Sequence, residues 1–151
     1  MTNAVYGFTA MILKIIGEQK PDAVVCAFDS RGPTFRHELF EEYKAQRKKM
    51  PAELSGQMQL IREVMTALNI STIEIPGFEA DDIIATISGK TASLFYDTII
   101  LSGDKDILQL VSENVKVISM KKGISDTVLY DIRGVVEKFG VEPSQIKDLL
   151  A

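Results

Sequence analysis

The chain has 151 residues, of which 46% are hydrophobic and 25% charged, and its formal net charge is −4. That length and composition suit one globular domain able to bury roughly 70% of its unfolded surface. The acidic balance argues against a generally basic nucleic-acid binder, the single cysteine, Cys26, precludes an internal disulfide, and no apolar run approaches the ~20 residues of a membrane span. Met1 leads straight into an amphipathic pattern without a charged start or a cleavage site, so a cytoplasmic protein with no secretory leader and no membrane partner is expected.

Taken in order, the chain alternates helix and strand. "TNAVYGFTAMILKIIGE" has apolar residues at helical spacing, with Thr2 or Asn3 as N-cap. "DAVVCAFD" is a continuous apolar run, the pattern of a strand covered on both faces, with Cys26 packing as a small hydrophobe. Phe35 to Lys49 is charged with helical spacing, and "LSGQMQLIREVMTALN" is an amphipathic helix. "STIEI" reads as a short strand closed by Pro76-Gly77, Ala80 to about Tyr96 as helix, "TIILS" as strand and "DILQLV" as a short helix. "NVKVISM" and "TVLYD" read as strands around a turn at Lys122-Gly123. "IRGVVEKFG" is a helix stopped by Gly140, and "PSQIKDLLA" opens another. This order implies an α/β fold: a mostly parallel central sheet flanked by helices, in one domain spanning 1–151.

The acids fall at special places on that frame. Asp29 lies at the carboxyl end of "AVVCAF", Asp104 and Asp106 follow "TIILS", and Glu79, Asp81 and Asp82 follow "STIEI" and open the next helix. In open parallel sheets, ligands bind outside the carboxyl ends of the strands. Each acidic group has an ordinary explanation: a helix start favours acids, and a polar turn favours Asp. Six carboxylates expected at one sheet edge nevertheless repel, at about 4 kcal/mol for a pair ~4 Å apart at an effective dielectric near 20. Oxygen-rich and without convergent His or Cys, the set suits hard cations, Mg²⁺ or Mn²⁺. Two such ions ~4 Å apart could clamp the attacking and leaving oxygens of a phosphodiester. His37 reads as a surface residue.

The segment "FRHELFEEYKAQRKK" carries the complementary charge. On a continuous helix Arg36, Phe40, Tyr43, Lys44 and Arg47 share one face, with Glu38, Glu41 and Glu42 opposite. From Arg31 to Met50 six Arg/Lys face three Glu, a net of +3; from Ile73 to Asp106 seven Asp/Glu face two Lys, a net of −5. Basic groups on such a face would hold phosphates, and an aromatic would stack on a base. The bland alternative is a solvated helix with i,i+4 pairs, but Phe40–Lys44 and Glu38–Glu42 are not opposite charges.

Together "TNAVYGF", "FDSRGPTFRHELFEEYKAQR", "PGFEADDIIATI" and "LSGDKDILQLV" resemble the 5′ nuclease domains of bacterial DNA polymerase I, within the wider 5′ exonuclease and flap endonuclease family. The resemblance implies a PIN-like, resolvase-like core and a metal-dependent 5′→3′ nuclease of replication and repair. It implies that Asp29, Glu79, Asp81, Asp82, Asp104 and Asp106 serve metal sites holding two Mg²⁺ or Mn²⁺ ions, directly or through water. It further implies that Arg36, Lys44 and Arg47 bind and polarise the scissile phosphate and that Tyr43 contacts the terminal bases. The implied partners are DNA with a 5′ flap or a duplex 5′ end, and a DNA polymerase, fused or separate. Members of the family begin with a strand ending in an Asp and continue into a helix–hairpin–helix region; neither is present between Met1 and Ala151, so impaired turnover and marginal folding are expected.

Two other classes fit parts of the pattern. A non-catalytic DNA-binding remnant would keep the basic segment alone. A phosphotransfer enzyme of the haloacid dehalogenase kind would use Asp104-Lys105-Asp106, but Ser102-Gly103 separate that trio from its strand.

Overall fold

The structure is a computed structural model that describes residues 3–30, 32–40, 42–43, 51–122 and 126–150, with side chains left aside at 52–53 and 121–122. The chain packs as two compact units, Met1–Ala80 and Asp81–Ala151.

In the first unit, helix α1 (Asn3–Gln19) buries Met11, Ile12 and Ile15, one stripe of its helical spacing. It packs on α3 (Ala52–Ala67), whose Ile61 and Met65 are buried. The α1 start is capped from α3: Gln57 Oε1 accepts the Ala4 N–H at 2.8 Å, satisfying an amide that the helix itself leaves unpaired. Strand β1 (Val25–Ala27) runs parallel to β2 (Ser71–Ile73), with Cys26 opposite Thr72, and Phe28 N–H continues the ladder to Ile73 O at 2.9 Å. The strand expected over residues 22–29 is therefore three residues long, and Val25 is 42% exposed, not covered on both faces.

The helix expected from Phe35 to Lys49 is corrected more sharply. Helix α2 spans only Phe35–Leu39, and Phe40 is extended (φ −140, ψ 103). Its start is fixed by a reciprocal cap in which His37 Nδ1 folds back to accept the Thr34 N–H at 3.1 Å. A five-residue helix has little intrinsic stability, and its end coincides with a turn in which Tyr43 N–H reaches Phe40 O at 2.9 Å. The helical face drawn through Arg36, Phe40 and Tyr43 does not form, and Phe40 is exposed. Lys44 and Arg47 lie outside the described residues.

The second unit opens with the body of α4 (Ala80–Ser93), which ends before the expected Tyr96. Phe95 adopts a left-handed conformation (φ 61), and Tyr96 N–H returns to Thr91 O, so the chain leaves the helical path. Strand β3 (Thr98–Leu101) pairs in parallel with β4 (Val115–Lys122), Ile100 opposite Val117, and β4 pairs antiparallel with β5 (Asp126–Tyr130), Val117 opposite Tyr130. Asp131 Oδ1 accepts the Gly134 N–H at 2.7 Å to cap α5 (Ile132–Phe139), and Gly140 ends it at φ 73, where a side chain would be strained. A 3-10 turn (Pro143–Gln145) leads into α6 (Ile146–Leu150). Ile100, Ile107, Leu108, Val111, Val115, Val117, Tyr130, Val135 and Ile146 form one buried apolar cluster. Each large aliphatic side chain there contributes about 1.5–3 kcal/mol by leaving water.

The α/β class with mostly parallel pairing is observed. Among the described residues the strands form two sheets, β1-β2 and β3-β4-β5, where one central sheet was expected.

Candidate functional site

In the first unit, the loop between β2 and α4 collects the expected residues. Gly77 takes a φ of 84, which turns the chain behind Pro76 and aims Phe78 and Glu79 back toward α2. Phe35 N–H donates to Gly77 O at 3.0 Å, and the Phe35 and Phe78 rings lie 5.7 Å apart. Glu79, only 14% exposed at its side chain, accepts from Tyr43 Oη at 3.2 Å and from Arg36 Nη1 at 3.4 Å. The Arg36 guanidinium also stacks 4.6 Å from the Phe35 ring centre. Just past β1, Asp29 Oδ1 accepts the Ala80 N–H at 2.8 Å, an amide of a helix start. Ser30 Oγ donates to Phe78 O at 3.4 Å, near the long limit for a hydrogen bond.

Sequence reasoning missed these partnerships. The resemblance implies that Arg36 meets phosphate and Glu79 metal, and the structure adds that the two pair with each other. The available signal was the opposite net charge of the two segments. It missed Arg62 as well, whose guanidinium bonds Glu74 at 2.7 Å and lies 4.2 Å over the Phe28 ring. Burial pushes the Cys26 thiol up from its ordinary 9.0, and the Arg62 charge opposes that shift. His37, expected at the surface, is half-buried in the α2 cap, with the Tyr43 ring edge-on at 5.4 Å.

In the second unit, Asp81 and Asp82 occupy the first turn of α4. Asp104 follows β3, and its Oδ1 accepts the Asp106 N–H at 2.9 Å while its own N–H donates to Ser102 Oγ at 3.1 Å. This Asx turn holds the two carboxylate-bearing residues on one tight loop. Among the described residues, neither unit by itself gathers three or more His, Cys, Asp or Glu closely enough to hold a metal ion. The donor chemistry, carboxylate oxygen throughout, suits a hard divalent cation.

Alternating helices and strands, two parallel ladders, and acids shortly after the ends of β1 and β3 define an α/β core of the resolvase-like kind. The family described as 5'-3' exonuclease, N-terminal resolvase-like domain matches residues 1–140, and the chain belongs to that family. It is 44% identical over 150 residues to a DNA polymerase I of Mycobacterium leprae, covering 99% of this chain and 16% of that protein. It is 46% identical over 148 residues to a DNA polymerase I of Bacillus caldotenax, covering 98% of this chain and 17% of the relative. The chain thus spans about one-sixth of the length of these curated relatives. Among solved structures, a T5 5'-exonuclease with bound zinc superimposes with a TM-score of 0.71 at 22% identity, covering 94% of this chain and 55% of that one. A bacteriophage T5 flap endonuclease in a pseudo-enzyme-product complex with DNA and metal ions gives 0.71 at 21% identity, covering 94% of this chain and 55% of that one. At that identity the two structures establish the shared fold.

Proposed function

We propose that the chain is the core of a metal-dependent 5′→3′ nuclease that hydrolyses DNA at a 5′ flap or duplex 5′ end. The observation that carries this is the seating of Arg36 and Tyr43 on Glu79. It puts a cation and an aromatic, the groups suited to phosphate and base, directly against an acid of the metal-type set. The family match and the metal- and DNA-bound T5 structures support the same assignment.

In this proposal Asp29, Glu79, Asp81, Asp82, Asp104 and Asp106 supply oxygen ligands, directly or through water, to Mg²⁺ or Mn²⁺. When bound, such ions would stabilise charge on the reacting phosphodiester oxygens. Glu79 would exchange Arg36 for the cation, leaving the Arg36 guanidinium to hold a phosphate oxygen. Lys44 and Arg47 bind further phosphates, and Tyr43 stacks on a terminal base. The setting is a reducing, cytoplasmic one, alongside a DNA polymerase.

Cleavage of a labelled 5′-flap DNA is the test, run with Mg²⁺, with Mn²⁺ and with EDTA. The expected result is weak, impaired cleavage with either metal, none in EDTA, and loss in Asp81→Asn/Asp82→Asn. Cleavage that persists in EDTA, or DNA binding without cleavage under every metal condition, contradicts the proposal, and the latter favours a purely DNA-binding role.

A further inference from the structure

The second unit holds a cavity of about 240 Å³ that the nuclease chemistry does not use. Lys105 and Lys138 line it, together with Ser119 and Tyr130. Leu108 and Met120 line it as well, and no carboxylate stands among the described lining residues. Among the described residues neither lysine makes a salt bridge.

Only part of the hydrogen-bonding capacity of this pocket is spent. Lys138 Nζ donates to Tyr130 Oη and lies 4.8 Å from the Tyr130 ring centre, which fixes the ammonium against a buried aromatic. An ammonium has three N–H donors, so two remain for a ligand. The Tyr130 oxygen accepts from Lys138, and its own O–H is a further donor. Lys105 lies between Asp104 and Asp106 in sequence, yet lines the cavity that those acids do not. Two positive charges, several donors and no carboxylate suit a dianion, and the cavity is small beside the ~300–1,000 Å³ typical of sites for drug-sized ligands.

We propose that this pocket binds a phosphomonoester, gripped by Lys105 and Lys138 with Ser119 and Tyr130 donating to the remaining oxygens. The phosphate chemistry stands on the pocket alone; its origin as a nucleic-acid phosphate rests on the nuclease function proposed above. Two sources share this chemistry: the 5′-phosphate end of a strand and a free nucleoside monophosphate, the class of product a nuclease releases.

The experiment is a titration in EDTA, so that metal binding and cleavage play no part, following the amide of Ser119 and the methyl of Met120 by NMR. The probes are inorganic phosphate, thymidine 5′-monophosphate, thymidine, and a short single strand with or without a 5′-phosphate. Phosphate and the monophosphate should shift both signals, thymidine neither. Lys105→Gln/Lys138→Gln should weaken binding by about tenfold or more, because charge-assisted hydrogen bonds are the strong ones. Should that variant not fold, Lys105→Glu at an exposed position tests the same point and should abolish binding. A strand that binds better with its 5′-phosphate assigns the pocket to strand ends; equal binding of the two strands, with the free monophosphate still bound, assigns it to the mononucleotide. Unmoved signals at millimolar phosphate, thymidine acting as strongly as its monophosphate, or full affinity in a folded variant would overturn the proposal. Loss of metal-dependent cleavage with phosphate binding intact would instead count against the nuclease assignment.

Discussion

The two units are held together by different physics. In Asp81–Ala151, a three-stranded sheet, the 3-10 segment Asp106–Leu110 and the short helices α5 and α6 close over one apolar cluster, with Val117, Val135 and Ile146 fully buried. In Met1–Ala80, a two-stranded sheet and the helices α1, α2 and α3 leave β1 partly exposed, and the loop that bears Glu79 is tied down by polar contacts from Asp29, Ser30, Phe35, Arg36 and Tyr43. The comparison teaches where stability and chemistry separate. An apolar cluster is costly to cut and chemically inert, whereas a carboxylate held by an Arg and a Tyr can be given up to a cation at modest cost.

The largest expected effect breaks the second unit. Ile146→Ala removes a fully buried side chain and should cost about 2–5 kcal/mol in urea unfolding. A loss below 1 kcal/mol would mean that the cluster is not a cohesive core.

Glu79→Gln sharpens the contrast. Its partner Arg36 is one-third exposed, so the stability change should be small, about 1 kcal/mol or less. Metal affinity should nevertheless fall at least as far as for loss of an outer-shell ligand partner, about 10–100-fold. A large loss of stability with unchanged Mn²⁺ affinity would make Glu79 a structural residue only.

Lys44→Ala/Arg47→Ala probes the basic segment. DNA binding should weaken, and its dependence on salt should flatten by about one to two units of slope, at ~0.9 per neutralised duplex phosphate and ~0.7 per single-strand phosphate. An unchanged slope would identify the segment as a solvated surface.

The smallest effect is at Cys26 in β1. The folded thiol keeps its proton to higher pH than the unfolded one, because burial raises it. That contribution to stability is complete below pH 9.0 and declines as pH rises from there through the folded value. Cys26→Ser should remove this alkaline decline in a series of thermal melts; an identical decline in the variant would assign it elsewhere.

Sequence alone revealed the second unit more fully than the first. Apolar runs located β3, β4 and β5, Gly140 marked the end of α5, and Asp104 and Asp106 were correctly set after a strand. These features depend on local pattern. What escaped was decided by contacts distant in sequence: the end of α2 at Phe40, where Tyr43 turns toward Glu79 across 36 residues; Asp29 bonding Ala80 across 51; and Arg62 reaching Glu74 and Phe28. Periodicity drew the basic segment as one helix because it carries no information about such long-range partners. The division of the strands into two sheets was hidden for the same reason, since an apolar run does not name its neighbour.

We propose that this chain's carboxylates bind a hard divalent cation. Calorimetric titration of the folded protein with Mn²⁺ tests it most directly, with Asp104→Asn/Asp106→Asn as the comparison. Saturable heat that weakens in the variant, with competition by Mg²⁺, is the predicted result. No heat at millimolar Mn²⁺ in a sample shown to be folded would contradict it.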